Sequence, residues 1–252
     1  MNIHQRAKGF FALLLFVIAT QALANPVIDQ QINQSIKAYK NGNIVQIKKA
    51  TNALAWTGIS SQRLYDHVEA RILKNYQTTD KPGIQLVGHL IKALSYSGNN
   101  KYIATLEKVQ SDAAHKKIKG YAKKALVTLE NHARWNPQIN NGLGGLNKNQ
   151  IESQRVLNML RSPDYDLVRI GAKRVNHAHT DNTRLVKAAQ KRLLREYQSD
   201  NSDKVFLDTI VWLIRALANT GDSAYKSTLE DVAANSPNRK IQKRAAKYAA
   251  LL

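Results

Sequence analysis

The amino-acid sequence predicts an all-α protein of about twelve helices, built from two related halves. Three observations carry that expectation. Apolar residues recur at helical spacing through most of the chain, and strand signals are scarce. The second half repeats the first at an offset of 123 residues: 89–129 aligns with 212–252 without a gap, and 15 of 41 positions are identical. Within that block Leu90-Ile91-Lys92-Ala93-Leu94 returns as Leu213-Ile214-Arg215-Ala216-Leu217, Gly98 falls on Gly221, and Tyr102 on Tyr225. A shared, ungapped glycine and tyrosine exceed what helical periodicity alone produces, so duplication of a unit of stacked elements accounts for the repeat.

The elements follow in chain order. Residues 1–8 carry Arg6 and Lys8 with no acid, 10–19 are an unbroken apolar run, and Ala22-Leu23-Ala24 is a small-x-small site. That order predicts a secretory signal peptide over 1–24, cleaved after Ala24. The apolar run is about half of what spans a bilayer, so no transmembrane anchor is expected after cleavage. The first module, 27–129, is expected to hold helices at 28–40, 43–56, 60–77, 83–97, 99–111 and 114–132. A linker at 130–149 is rich in glycine and asparagine, which break helices. It reads as a remnant of the duplication or as a loop reaching across a concave face with Trp135 as its contact. The second module, 150–252, should hold helices at 148–161, 163–177, 181–199, 202–219, 222–234 and 237–252. Ser162-Pro163 and Ser236-Pro237 place a capping hydroxyl before a first-turn proline. Gly98 and Gly221 stand where a helix must stop, in the left-handed conformation that ends helices. In the last helix Ile241, Ala245, Tyr248, Ala249 and Leu252 form one apolar stripe, as do Ile118, Ala122, Ala125, Leu126 and Leu129 in its counterpart.

The stretch Ile214-Arg215-Ala216-Leu217 through Thr220-Gly221-Asp222, then Leu229, Ile241 and Ala245, resembles HEAT repeats of the short kind first associated with phycobilisome lyases. The earlier copy, Ala93-Leu94 through Ser97-Gly98-Asn99 to Leu106, Ile118 and Ala122, fits the same pattern. The resemblance implies a HEAT-like α-solenoid and a binding or scaffolding role, without implying lyase activity. The His-Glu dipeptides by which one metal-binding HEAT enzyme family holds iron are absent from this chain.

Composition narrows the chemistry. The chain has no cysteine, which removes disulfides, thiol nucleophiles, thiolate zinc sites and a lipidated cysteine anchor. At 252 residues with 43% hydrophobic content it is long enough to hold a core without disulfides. His177, His179 and Asp181 lie within five residues, but histidines at i and i+2 cannot share one helical face, and His67 with Glu69 has the same defect. His89 aligns with Trp212 and is read as a packing position. No catalytic residue, metal ligand or cofactor is expected, and the chain is read as a non-enzyme.

Charge is the remaining signal. The formal balance is +20, and loss of Arg6 and Lys8 with the leader lowers it by two. Basic residues align on helix faces: Lys116, Lys119 and Lys123; Arg184, Lys187, Lys191 and Arg195; Lys240, Lys243, Arg244 and Lys247. In a solenoid such stripes are expected to merge into one electropositive sheet, either a solvated face or a surface for an anionic partner. The partners so implied are an acidic envelope protein, lipid headgroups, lipopolysaccharide or extracellular nucleic acid, met in the periplasm or outside the cell. The alternative is an enzyme with an unrecognised site, an envelope hydrolase or a HEAT-like enzyme acting on nucleic acid.

Overall fold

The computed structural model describes residues 25–252, and the expected leader, 1–24, lies outside the described residues. Every regular element among the described residues is helical. The order is α1 (Pro26–Asn41), α2 (Ile44–Thr57), α3 (Gln62–Asn75), α4 (Lys81–Ser95), α5 (Ile103–Asp112), α6 (Lys116–Ile139), α7 (Lys148–Arg161), α8 (Tyr165–Ala178), α9 (Thr183–Glu196), α10 (Lys204–Ala218), α11 (Lys226–Asn235) and α12 (Arg239–Ala249). Single 3₁₀ turns, Asn100–Tyr102 and Ser223–Tyr225, lead into α5 and α11. None of these helices is long and apolar enough to cross a membrane.

Local chemistry explains most boundaries. Asn43 and Asn147 each form a capping box with a glutamine at the third helical position, so α2 and α7 start where both orphan donors and the backbone are satisfied. Gly98 and Gly221 have φ of +59° and +69°, the left-handed conformation expected of helix-terminating glycines. The serine-proline starts fall two residues short. Ser162 and Ser236 hydroxyls accept from the backbone N–H of Asp164 and Asn238, and these two residues, not the serines, cap α8 and α12. Each serine builds the turn before the cap, because its short hydroxyl reaches the N–H two residues on.

The largest departure is α6. It runs seven residues beyond the expected end at 132, through Pro137, and takes the first part of the expected linker into regular structure. The apolar stripe simply continues: Trp135 and Ile139 are buried. Trp135 is therefore no loop contact. It is 6% exposed, its ring meets the His132 ring edge-on at 5.3 Å, and its indole N–H donates to Asp164 Oδ2 at 2.8 Å.

Packing joins the helices in consecutive pairs. In the first half α1 packs on α2 and α3, α4 on α2, α3 and α6, and α5 on α6; in the second α7 packs on α8 and α9, α10 on α8, α9 and α12, and α11 on α12 and α9. Each half encloses its own apolar core. A third, smaller cluster of Trp135, Ile139, Met159 and Leu167, with Trp56 and Ile170 against it, lies where the halves meet.

The junction brings the first pair of one half to the first pair of the other. Asn25 Nδ2 donates to the Leu143 and Leu146 carbonyls, both at 3.0 Å, tying the start of α1 to the loop before α7. Arg155 on α7 is fully buried; its Nε donates to Asn140 Oδ1 and one terminal nitrogen to Gln31 Oε1 on α1, each at 3.0 Å. The Arg174 guanidinium on α8 lies 3.9 Å from the ring centre of Trp56 on α2. The extended end of α6 is fixed to the first half, where Asn136 Nδ2 reaches Ser60 Oγ and the Tyr96 carbonyl at 2.9 Å and the Ser97 carbonyl at 3.1 Å.

Candidate binding surfaces

The eleven cations expected to form one sheet occupy three separate helices. Lys116, Lys119 and Lys123 lie on the first turns of α6, which packs on α4 and α5. Arg184, Lys187, Lys191 and Arg195 lie on α9, the first helix of its pair, packed on α7, α10 and α11. Lys240, Lys243, Arg244 and Lys247 lie on α12, the second helix of its pair, packed on α10 and α11. The α9 stripe thus belongs to the opposite layer from α6 and α12. Merger into one sheet needs all three stripes in one layer, and α9 lies in the other.

Their freedom differs as well. Arg195 is committed: its guanidinium meets Glu196 Oε1 at 2.8 and 2.9 Å. The same carboxylate holds Arg192 at 3.1 Å and accepts from the Tyr165 hydroxyl at 3.0 Å. Arg184 donates to Gln154 at 3.3 Å, and Lys119 to the Ser111 carbonyl. Lys187 and Lys191 are exposed. The α12 face is the densest: Arg239, Lys240, Lys243, Arg244 and Lys247 line one shallow depression of about 480 Å³ with no carboxylate among them. None of the five joins an ion pair among the described residues.

A groove that the charge pattern did not reveal crosses α2, α4 and α6. It measures about 660 Å³, within the range of roughly 300–1,000 Å³ usual for small-molecule sites. Ile91 and Ala125, 1% and 4% exposed, form its floor, and Val45, 70% exposed, stands at its side. Lys48, Lys92 and Lys124 are exposed around it. The Tyr121 ring lies against Gly88, where an added Cβ would come within 2.9 Å of it. His89 lines this groove half-buried and is not a core packing residue. Burial, then the Lys48 and Lys92 ammonium groups, hold its imidazole below the usual histidine range.

The aligned face of the second half is used differently. Trp212, at the position of His89, carries the Arg215 guanidinium at 4.6 Å and the Lys173 ammonium at 4.9 Å from its ring centre. Asp208, aligned with Gln85, pairs with Arg169 at 3.3 Å. Arg169, Lys173 and Arg215 there already have partners, whereas Lys48, Lys92 and Lys124 have none among the described ion pairs. The exchange of histidine for tryptophan was a trace of this groove in the sequence.

The remaining polar candidates are structural. His177 is exposed, with its ring edge-on to Trp212 at 5.6 Å. His179 faces Glu152 at 3.4 Å, and burial lowers its pKa more than that carboxylate raises it. Among the described residues no three histidine, aspartate or glutamate side chains are grouped to hold a metal ion. Neither a protein-family model nor a curated protein matches this chain, so its own geometry carries the functional reading.

Proposed function

We propose that the chain is an exported, non-enzymatic HEAT-like protein that binds or scaffolds, engaging an acidic protein or polyanionic envelope partner through its basic helix faces. The observation that carries this reading is the α12 face, five cations along one helix with neither a carboxylate nor an ion pair among them. In a merely solvated face, interspersed acids are the ordinary arrangement; here they are missing. Apposing such a face to a polyanion releases condensed counterions, which gives attraction without sequence preference.

Internal duplication is supported by residues that do the same work in both halves. Arg71 donates to the Tyr39 carbonyl at 2.8 Å and the Gly42 carbonyl at 3.1 Å, closing the end of α1. The aligned Arg192 donates to the Leu160 carbonyl at 3.4 Å and the Ser162 carbonyl at 2.7 Å, closing the end of α7. The order of contacts supports a solenoid whose halves grow in opposite directions from the α1–α2 and α7–α8 centre. Export is supported by the charge, apolar run and small-residue site of residues 1–24. Mass spectrometry of protein recovered from the envelope fraction should find a chain beginning at Asn25; a chain retaining 1–24 there would overturn the assignment.

The surface is tested with Lys240→Glu, Lys243→Glu and Lys247→Glu combined, against Lys40→Glu, Lys74→Glu and Lys81→Glu, a dispersed set of exposed lysines with the same total charge change. Binding to a single-stranded oligonucleotide, used as a generic polyanion, should weaken about tenfold in the first variant at low salt. The slope of log affinity on log salt should fall by about two, near the roughly 0.7 per lost contact expected for single strands. Equal weakening in both variants would mean that only net charge matters, and that α12 has no dedicated partner.

A further inference from the structure

The groove across α2, α4 and α6 is separate from the α12 face and differs from it in kind. It joins an apolar floor to three cations that have no ion pair among the described residues, and no carboxylate lines it. We propose that it binds a monomeric single-chain amphiphile with an anionic head, the chain lying on Val45, Ile91 and Ala125 and the head held by Lys48, Lys92 and Lys124.

Depth and charge order the ligand. The nearly inaccessible residues, Ile91 and Ala125, are apolar, whereas all three lysines are exposed, so an acyl chain enters first and its head stays at the rim. Removing such a chain from water is favourable by about 25 cal/mol per Å² of apolar surface. The rim then distinguishes an anionic head from a neutral one. A peptide is a poorer occupant. Its backbone N–H and C=O groups need partners when buried, and the helices beneath it have already bonded their own. Of the polar side chains lining the groove, only Gln85, His89, Ser95, Tyr121 and Thr128 are uncharged donors or acceptors.

The second half shows what closure looks like. Trp212 stands where His89 stands, Tyr248 where Ala125 stands, and the aligned cation Arg215 is stacked on the tryptophan. His89 and Ala125 are smaller than the residues aligned with them, and both Trp212 and Tyr248 pack against the core of the second half.

Isothermal titration with a lysophosphatidylglycerol and a lysophosphatidylcholine of equal chain length, both below their micelle concentrations, tests the proposal on the purified protein. One saturable site is expected, at least tenfold tighter for the anionic lipid. Lys92→Gln with Lys124→Gln should remove most of that preference; both positions are exposed, so the fold should survive. His89→Trp with Ala125→Tyr, which imports the residues of the second half, should abolish binding of both lipids at unchanged far-UV circular dichroism. The triple α12 reversal should leave lipid affinity unchanged, which separates this site from the surface proposed above. Equal affinity for the two lipids, binding retained in the filled variant, or loss on α12 reversal would overturn it. Displacement of the lipid by an acidic, leucine-rich peptide at comparable concentration would instead assign the groove to a protein partner.

Discussion

Gly98→Ala should destabilise the protein by about 3–4 kcal/mol, whereas Gly221→Ala, at the aligned position, should cost only about 1 kcal/mol. Both glycines have positive φ, and a Cβ in that region costs roughly 1–2 kcal/mol. The surroundings then separate them. A Cβ on Gly98 would lie 2.6 Å from the His132 carbonyl carbon and the Ala133 nitrogen, both backbone atoms of α6. Backbone in mid-helix cannot step aside as a flexible side chain does, and overpacking of this kind adds about 1–3 kcal/mol. A Cβ on Gly221 meets nothing within 4 Å. Urea unfolding of both variants at constant m-value measures the difference. Equal destabilisation would show that α6 does not press on the turn after α4, and would undo the account of its extended C-terminal half.

Stability should also fall by about 3 kcal/mol as pH drops from above 6.5 to below 4, through His132. This imidazole is 2% exposed and sits between the Tyr96 and Trp135 rings, at 4.8 and 5.3 Å. Burial pulls its pKa from 6.5 down to about 4, opposed by the hydrogen bond to Asn136. Because the Asn136 amide nitrogen is engaged with Ser60, Tyr96 and Ser97, its Oδ1 faces His132 Nδ1 at 3.0 Å, so neutral His132 carries its proton on Nδ1. Between the two pKa values the unfolded chain binds a proton that the folded one refuses. Stability is therefore full above 6.5 and is lost progressively down to about 4, by about 1.4 kcal/mol for each pH unit crossed. Burial lowers His89 and His179 as well, adding losses of the same sign. Hydrogen bonding lowers the pKa of Asp66, from Lys101 first, and of Asp112, from Ser111 first; these contribute only when pH falls through the carboxylate range. Chemical unfolding at a series of pH values, compared between the wild type and His132→Gln, isolates the histidine's contribution. An unchanged pH dependence in the variant would refute the assignment.

Much of the fold was legible because helices are written locally. The expected span of α7 agrees with the observed one to the residue, since Asn147 and Gln150 form a capping box that depends on four consecutive residues. The α6 end was missed because Pro137 and the following Asn-Gly run signal a break, while tertiary burial of Trp135 and Ile139 outweighs it. The candidate surfaces were legible only as parts. Lys240, Lys243 and Lys247 share one helix, and periodicity aligned them; Lys48, Lys92 and Lys124 come from three helices, and no spacing in the chain joins them.

By itself, the sequence determined what depends on short range: helix content, the capped starts, the glycines that end α4 and α10, the absence of thiol chemistry and the excess of positive charge. Tertiary structure alone decided which pairs meet. The first helices of both halves converge because Arg155, Arg174 and Asn25 find partners more than a hundred residues away, contacts that leave no periodic trace. It also decided that α9 and α12 lie in opposite layers and that α2, α4 and α6 enclose an open groove. Whether two charges or two apolar faces lie side by side is set by packing order, and that order follows from the summed burial of side chains remote in sequence.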